Sequence, residues 1–417
     1  MRWGARVGML AIVAVLASVA RADPAAPRLR LDALVSEIRQ RNPSAAAAIR
    51  RLEAARVQIR RARALPDPFV QGMIEDLPPG LRGGMPMVRL SATQMIPWHG
   101  KRDRMAAVSA REAEATAARA DVTLLDVLTS GKRSYYELLL NKHGRAINRE
   151  QRAIVDTVVQ IALGRLSSGT GMHHDVLKMQ TEGTMLDDAM VMLDADRREM
   201  VAMVNALLDR AAETELGEPD DTWTPEMPLD RARLVATALA ARPELREMRA
   251  MEAAEQAMAA AARREYYPDV MVGALYDFKR DQPDTIGGML GLNVPLWIGG
   301  KQRLDVEAAE ARGRGVERDR AAMAAMVRAD IERSFARIEA ADRRARLLEA
   351  ELIPQAQQTF DSALAAFPSG TVDVLSLLDS LRTLEGQKLA RVAVRVAREL
   401  ALVDLERAVG TPIKEIR

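Results

Sequence analysis

The sequence contains no cysteine, and aromatic residues make up only 3% of its 417 positions. Without cysteine no disulfide can form and no lipid can be attached to an N-terminal cysteine. After residue 22 there is no apolar run of the roughly 18 residues or more that a transmembrane helix requires. The net charge is only +2, so the sequence gives no support to a nucleic-acid partner.

Residues of catalytic and cofactor-binding patterns are also missing. The four histidines include no His-Glu-x-x-His pattern, and no Gly-x-Ser-x-Gly elbow occurs. Gly299-Gly300-Lys301 lacks the spacing and the Ser or Thr of a phosphate-binding loop. We therefore expect no enzyme activity, no cofactor and no resident metal site.

Proline is absent between Pro97 and Pro219, and only three glycines lie between Lys101 and Leu166. An unbroken helix over that stretch would be about 100 Å long, against about 30 Å for the hydrocarbon core of a membrane. Because charged residues make up 28% of the chain, such a helix is expected in water beside other helices. In the second half, Pro354 predicts a bend or an interruption.

Residues 1–22 read as a secretory signal. Arg2 and Arg6 precede the apolar run Val7 to Val19, and Ala20-Arg21-Ala22 is a small-x-small cleavage site. The apolar run is too short to span a bilayer. The sequence therefore predicts an exported protein that carries no lipid.

The rest of the chain repeats itself with an offset of about 200 residues, which is too long for a solenoid unit. The repeated landmarks are Asn42-Pro43 with Arg242-Pro243, Pro66-Asp67 with Pro268-Asp269, Gly100-Lys101 with Gly300-Lys301, Ser168-Gly169-Thr170 with Ser369-Gly370-Thr371, and Asp175-Val176-Leu177 with Asp373-Val374-Leu375. We predict a first repeat over 23–212, a linker over 213–230 that is rich in acids and prolines, and a second repeat over 231–417.

Each repeat is predicted to contain a helix, two strands and a long helical hairpin. The strands are expected at about 67–76 and 86–97, then at 269–278 and 286–297, with hairpins at about 101–210 and 301–410. Alternation places apolar residues on one face of the strands, which a membrane barrel would turn to lipid. The candidate lipid-facing residues are Val88, Leu90, Ala92, Leu290, Leu292 and Val294. Four strands do not close a barrel, since the smallest membrane barrels have about eight, so two or more chains would share one.

Each hairpin turns at a short glycine-containing tip. The tip residues singled out are Ser168, Gly169, Thr170, Ser369, Gly370 and Thr371. Glycine permits a left-handed helix end, and Ser or Thr can cap the next helix. Asp175 and Asp373 follow the tips, where they either stabilise the helix N-termini or serve in a pore.

These features together resemble the TolC-like outer membrane efflux factors. The resemblance rests on the ordered set at the 200-residue repeat: Arg41-Asn42-Pro43, Ala241-Arg242-Pro243-Glu244-Leu245, the two Gly-Lys strand ends and the two Ser-Gly-Thr tips. It implies a mainly α protein with a small membrane β-barrel, in which a homotrimer shares twelve strands above a periplasmic α-helical tunnel. It also implies an exit duct in the Gram-negative outer membrane whose tips dock onto a periplasmic adaptor, with an inner-membrane pump of RND type.

Within that family the resemblance implies further roles. Asp373 matches a position in the acidic constriction of some relatives, whereas Ser376 stands where some have a second acid. The stretch Gln94 to Lys101 is similar to the heavy-metal branch, and the 22 methionines suit soft metals. Methionine also fills helix cores, so heavy-metal cations and organic molecules both stay open as cargo. The alternative function is a periplasmic coiled-coil adaptor or scaffold, which would not need two symmetric strand pairs.

Overall fold

The computed structural model describes residues 28–75, 87–225, 228–279 and 282–413. The predicted signal peptide and the predicted loop Leu77 to Gly84 lie outside these residues. Among the described helices, none is both long enough and apolar enough to cross a membrane.

The first repeat begins with two short helices and a strand pair, followed by two long helices. Its elements are α1 (Leu31–Arg41), α2 (Pro43–Arg63), β1 (Phe69–Glu75), β2 (Met87–Ile96), α3 (Lys101–Ser167) and α4 (His173–Leu207). The 67 residues of α3 form one continuous helix, about 100 Å long at 1.5 Å per residue. The strands and the tip of this repeat are therefore far apart along the molecule.

The second repeat has the same order of elements. They are α5 (Arg231–Ala241), α6 (Pro243–Ala262), a 3₁₀ turn (Arg263–Tyr266), β3 (Asp269–Lys279), β4 (Thr285–Asn293), α7 (Gln302–Leu347), a π-helical segment (Leu348–Leu352), α8 (Ile353–Ala366) and α9 (Val374–Val409). The π-helical segment lies directly before Pro354, where an interruption was expected. Pro354 has no N–H for the ordinary helical hydrogen bond, and the wider π turn accommodates that loss.

The fourth strand is shorter than the sequence indicated. It ends at Asn293, which pairs with Asp269, the first residue of β3. Because the partner strand begins there, the ladder has no further residue to pair with, and Val294 to Gly300 run on without strand structure. The prediction of a strand to 297 was wrong, and Val294 lies outside the strand although its side chain is exposed.

The four strands form one antiparallel sheet in the order β1-β2-β3-β4. The two hairpins of the duplication meet at the β2–β3 pair, which runs from Met87 opposite Lys279 to Ile96 opposite Val270. The sheet is thus a single surface to which each repeat contributes two strands.

The helices pack side by side around apolar clusters spread along their length. One cluster near the tips combines both hairpins through Val158, Met179, Phe360, Phe367 and Leu381. A second joins α1 to the long helices through Ile38, Tyr135 and Val204. A third does the same for α5 through Ala238, Ile331 and Leu405. Each repeat therefore anchors its own short helix.

The Asn-Pro and Arg-Pro landmarks mark the joints between the short helices. Asn42 caps α2 by accepting from the Ala45 N–H at 3.0 Å, and its amide donates to the Leu207 carbonyl at 3.0 Å. At the equivalent joint Arg242 donates to the Ala408 carbonyl at 3.2 Å and pairs with Glu244 at 3.1 Å. Both joints tie the short helices to the end of the returning long helix.

Candidate functional site: the sheet faces and the helical tips

One face of the sheet is apolar and exposed. Register places Leu90 beside Tyr276, and Tyr276 beside Ile286, so the side chains of all three lie on this face. Leu90 is 47% exposed and Leu290 is 77% exposed. The predicted residues Val88, Leu90, Ala92, Leu290 and Leu292 share this face and are exposed. Their role toward lipid remains a proposal, which this shared apolar face supports.

The opposite face carries a charged group that spans three strands. Arg89 Nε lies 2.8 Å from Asp277 Oδ1, and Arg89 Nη1 lies 3.0 Å from Glu75 Oε1. Thr285 Oγ1 donates to Asp277 Oδ2 at 3.4 Å, which extends the group to β4. Alternation predicted that Arg89 points to the polar face, but it did not reveal these partners, because the pairing of β2 with β3 joins distant parts of the chain.

A second ion cluster lies where the strands meet the helices. Lys101 Nζ lies 2.8 Å from Asp269 Oδ1 and 2.9 Å from Glu265 Oε2. The Lys101 side chain is only 7% exposed. Trp98 stacks on Tyr267 with ring centroids 6.0 Å apart. The Gly-Lys landmark of the first repeat therefore fastens β2 to the start of β3.

The two helical tips have the same local structure. Gly169 and Gly370 have φ of +76° and +79°, a conformation that side chains other than glycine rarely adopt. In each tip the two flanking hydroxyls bond to one another, Ser168 with Thr170 at 2.9 Å and Ser369 with Thr371 at 2.8 Å. The six predicted tip residues thus form two matched turns.

Arg165 connects the two tips, which the sequence did not indicate. Its Nη1 donates to the Phe367 carbonyl at 2.9 Å, and its guanidinium lies 5.0 Å from the centre of the Phe367 ring. Phe367 is fully buried. The only sequence signal was a single arginine beside a glycine tip, and its partner lies in the other repeat.

The two candidate pore carboxylates differ in their local roles. Asp373 is the N-cap of α9 and accepts from the Ser376 N–H at 2.7 Å. That backbone hydrogen bond holds the pKa of Asp373 below its ordinary value. Asp175 lies in the first turn of α4 without a capping hydrogen bond. Asp373 therefore stabilises the N-terminus of α9, and the constriction role of both carboxylates stays a proposal.

The Met and His residues near the first tip do not converge. Met179 is fully buried in the core, whereas Met172 is 70% exposed. Across residues 28–75, 87–225, 228–279 and 282–413, no group of three or more His, Asp or Glu side chains is placed to hold a metal ion.

Comparison with known proteins agrees with this architecture. The profile of the outer membrane efflux protein family matches residues 234–411. The matched residues cover most of the second repeat. It is 27% identical over 338 residues to the pyoverdine export outer membrane protein OpmQ of Pseudomonas aeruginosa, covering 77% of this chain and 69% of OpmQ. It is 24% identical over 402 residues to the cobalt-zinc-cadmium resistance protein CzcC of Cupriavidus metallidurans, covering 93% of this chain and 91% of CzcC.

The fold of the chain is also that of a solved structure. Its structure matches CusC with a TM-score of 0.77 at 16% identity, covering 93% of each chain. The matched profile is that of outer membrane efflux proteins, and the matched structure is that of a transmembrane channel.

Proposed function

We propose that three copies of this chain form the exit duct of a tripartite efflux system, with the sheets in the outer membrane and the helices in the periplasm. The observation that carries the proposal is the sheet, which has one exposed apolar face, one charged face and two strands at its edges that pair on one side only. A lipid-exposed sheet with open edges is very costly, because each unpaired backbone group loses its hydrogen bond.

Closure of the sheet requires partner chains. Three copies supply twelve strands and place the Arg89, Asp277 and Glu75 group of each copy in the barrel interior. A polar interior beneath an apolar outer surface is the normal arrangement of a membrane barrel. Two copies would give eight strands, near the lower limit for such barrels. The tunnel would then be enclosed by the long helices of two chains instead of three.

The helical tips are proposed to dock onto a periplasmic adaptor, which connects the duct to an inner-membrane pump of RND type. Two observations support this role: the tips repeat the same exposed hydroxyl-bearing turn, and Arg165 fixes one tip to the other. A docking surface held rigid before binding loses less entropy when it binds. Asp175 and Asp373 lie just behind these turns, where carboxylates would face the tunnel mouth in a trimer.

For cargo, we propose heavy-metal cations, which CzcC supports by its similarity over nearly the whole chain. The similarity to OpmQ supports an organic cargo as the competing candidate. Deleting the protein should raise sensitivity to cobalt, zinc and cadmium salts. Unchanged metal sensitivity with loss of siderophore export would favour the organic cargo.

Cell fractionation tests the duct itself. The proposal predicts that the expressed protein, after removal of a signal peptide near residue 22, is found in the outer membrane without attached lipid and runs as a trimer on an unheated gel. A soluble periplasmic monomer or dimer would overturn the proposal and favour an adaptor or scaffold.

A further inference from the structure

We call a pair of neighbouring strands from two different repeats a seam. The sheet contains one seam, and the duplication implies a second seam of the same kind. Within the chain, the end of the first hairpin meets the start of the second at the β2–β3 pair. In a closed ring of copies, β4 of one subunit meets β1 of the next. The equivalent landmarks of the two repeats then meet at both seams.

The first seam is held by a buried ion pair at its helical end. Lys101 is the first residue of α3, a short turn beyond the end of β2 at Ile96. It reaches Asp269, whose side chain is 14% exposed. Asp269 Oδ1 also accepts the backbone N–H of Trp98 at 2.8 Å. One carboxylate therefore binds both the ammonium group and the backbone that follows β2.

The counterparts in the second seam are Lys301 and Asp67. Lys301 matches Lys101 through the Gly-Lys landmark, and Asp67 matches Asp269 through the Pro-Asp landmark. Both residues are exposed. Within the described part of the chain, neither side chain makes an ion pair or a hydrogen bond. They are separated because β1 and β4 lie at opposite edges of the sheet.

We propose that Lys301 forms an ion pair with Asp67 of the partner subunit, and that this pair fastens the β4–β1 seam as Lys101 and Asp269 fasten the β2–β3 seam. The inference rests on the trimer of the proposed function. The partner is a second copy of this chain, because each copy contains one Lys301 and one Asp67.

The second seam differs from the first in the carboxylates available to its lysine. Glu265, the second partner of Lys101, corresponds to Arg63 in the first repeat by the offset of the Pro-Asp landmark. Lys301 is therefore expected to bind one carboxylate, Asp67 of the partner subunit, where Lys101 binds two. Arg63 Nε lies 4.0 Å from Asp103 Oδ1 of its own chain.

A charge-reversal series tests the pair. Asp67→Lys should lower the temperature at which half of the detergent-purified trimer dissociates, and adding Lys301→Glu should restore most of that loss. Rescue by a second charged substitution is not expected if Asp67→Lys only disturbs folding. No change in Asp67→Lys, or no rescue in the double variant, would overturn the inference.

Site-specific cross-linking separates this inference from the proposed trimer. Because the chain has no cysteine, Asp67→Cys with Lys301→Cys supplies the only thiols, and a short bismaleimide should join subunits into a covalent trimer. Asp67→Cys with Asp284→Cys is the matched control, since Asp284 lies beyond the other end of the strands and should not cross-link.

The two outcomes have different meanings. A trimer on the unheated gel that the Asp67 and Lys301 thiols do not cross-link would overturn the ion pair and leave the duct intact. Absence of any trimer in the wild-type protein would overturn the duct, and the ion pair with it.

Discussion

The replacement of Leu90 by arginine tests the orientation of the sheet directly. Leu90 lies within β2 (Met87–Ile96), with Gly72 on one side and Tyr276 on the other, and its side chain projects from the exposed apolar face. If that face meets lipid, the substitution places a guanidinium among hydrocarbon chains near the middle of the strand.

The size of the effect follows from the position and from the number of copies. An arginine on the lipid face of a membrane barrel costs about 2–4 kcal/mol at the midplane. Three copies bring the cost to about 6–12 kcal/mol per trimer, which is comparable with the whole stability of an ordinary domain. We therefore expect little or no assembled trimer for Leu90→Arg.

The matched control is Ser91→Arg, one residue along the same strand. Ser91 pairs with Gln71 and Leu275 on the opposite, charged face, so its arginine would enter water inside the barrel. Arg89 shares that face but is a poor control, because its side chain already bonds to Asp277 and Glu75.

The assay is the amount of trimer in the outer-membrane fraction on an unheated gel, normalised to total expressed protein. Ser91→Arg should assemble nearly as well as wild type, and Leu90→Arg should not. Equal yields for the two variants, or a larger loss for Ser91→Arg, would refute the assignment of faces.

Three further predictions concern the helices. Glu244→Gln should lower the free energy of unfolding by about 1.5–3 kcal/mol in denaturant titration, because Arg242 and Arg407 lose the carboxylate that they share. Arg407 keeps its ion pair with Asp126, and Arg242 keeps Asp330 at 3.9 Å. Burial alone would raise the pKa of Glu244, but hydrogen bonds from Arg407 and Arg242 outweigh burial and lower the pKa below its ordinary value of 4.5. The ionised Glu244 therefore stabilises the fold above pH 4.5, and this stabilisation is lost as the pH falls through the folded pKa. Glu244→Gln should not show that loss. Asp373→Asn keeps an acceptor for the cap and removes the charge, so it should raise the resting single-channel conductance; an unchanged conductance would count against a constriction role. Gly171→Ala should impair efflux, since its Cβ would lie 2.9 Å from the Leu166 backbone nitrogen, whereas Gly164→Ala has open space and should be tolerated.

Local patterns predicted much of this fold, because the relevant interactions are local. Alternation assigned Val88 and Leu90 to one face, and the structure places them there. The Ser-Gly-Thr motif predicted turns that depend on left-handed glycines, and both glycines have positive φ. The scarcity of proline predicted a helix beginning at Lys101 and reaching the first tip.

Contacts between the repeats could not be predicted in the same way. The partners of Lys101 and Arg165 lie in the other repeat, and no spacing rule connects residues so far apart in sequence. The fourth strand was predicted too long because its end is set by where β3 begins, not by its own residues. The sequence left Asp373 open between helix stabilisation and a pore role, and its hydrogen bond to the Ser376 N–H is visible only in the structure.

The β2–β3 pairing has a consequence for the order in which the protein folds. Ile96 meets Val270, and Met87 meets Lys279, so the sheet closes a loop that contains the whole of α3 and α4. Helices form from neighbouring residues, whereas long-range strand pairing is slow because loop closure precedes any gain in contacts. The first hairpin of strands must therefore wait, with both edges open, until the second repeat has been synthesised. During that interval β1 and β2 are the segments most exposed to wrong pairing with other chains. Slowing synthesis of the second half should accordingly increase aggregation more than slowing synthesis of the first.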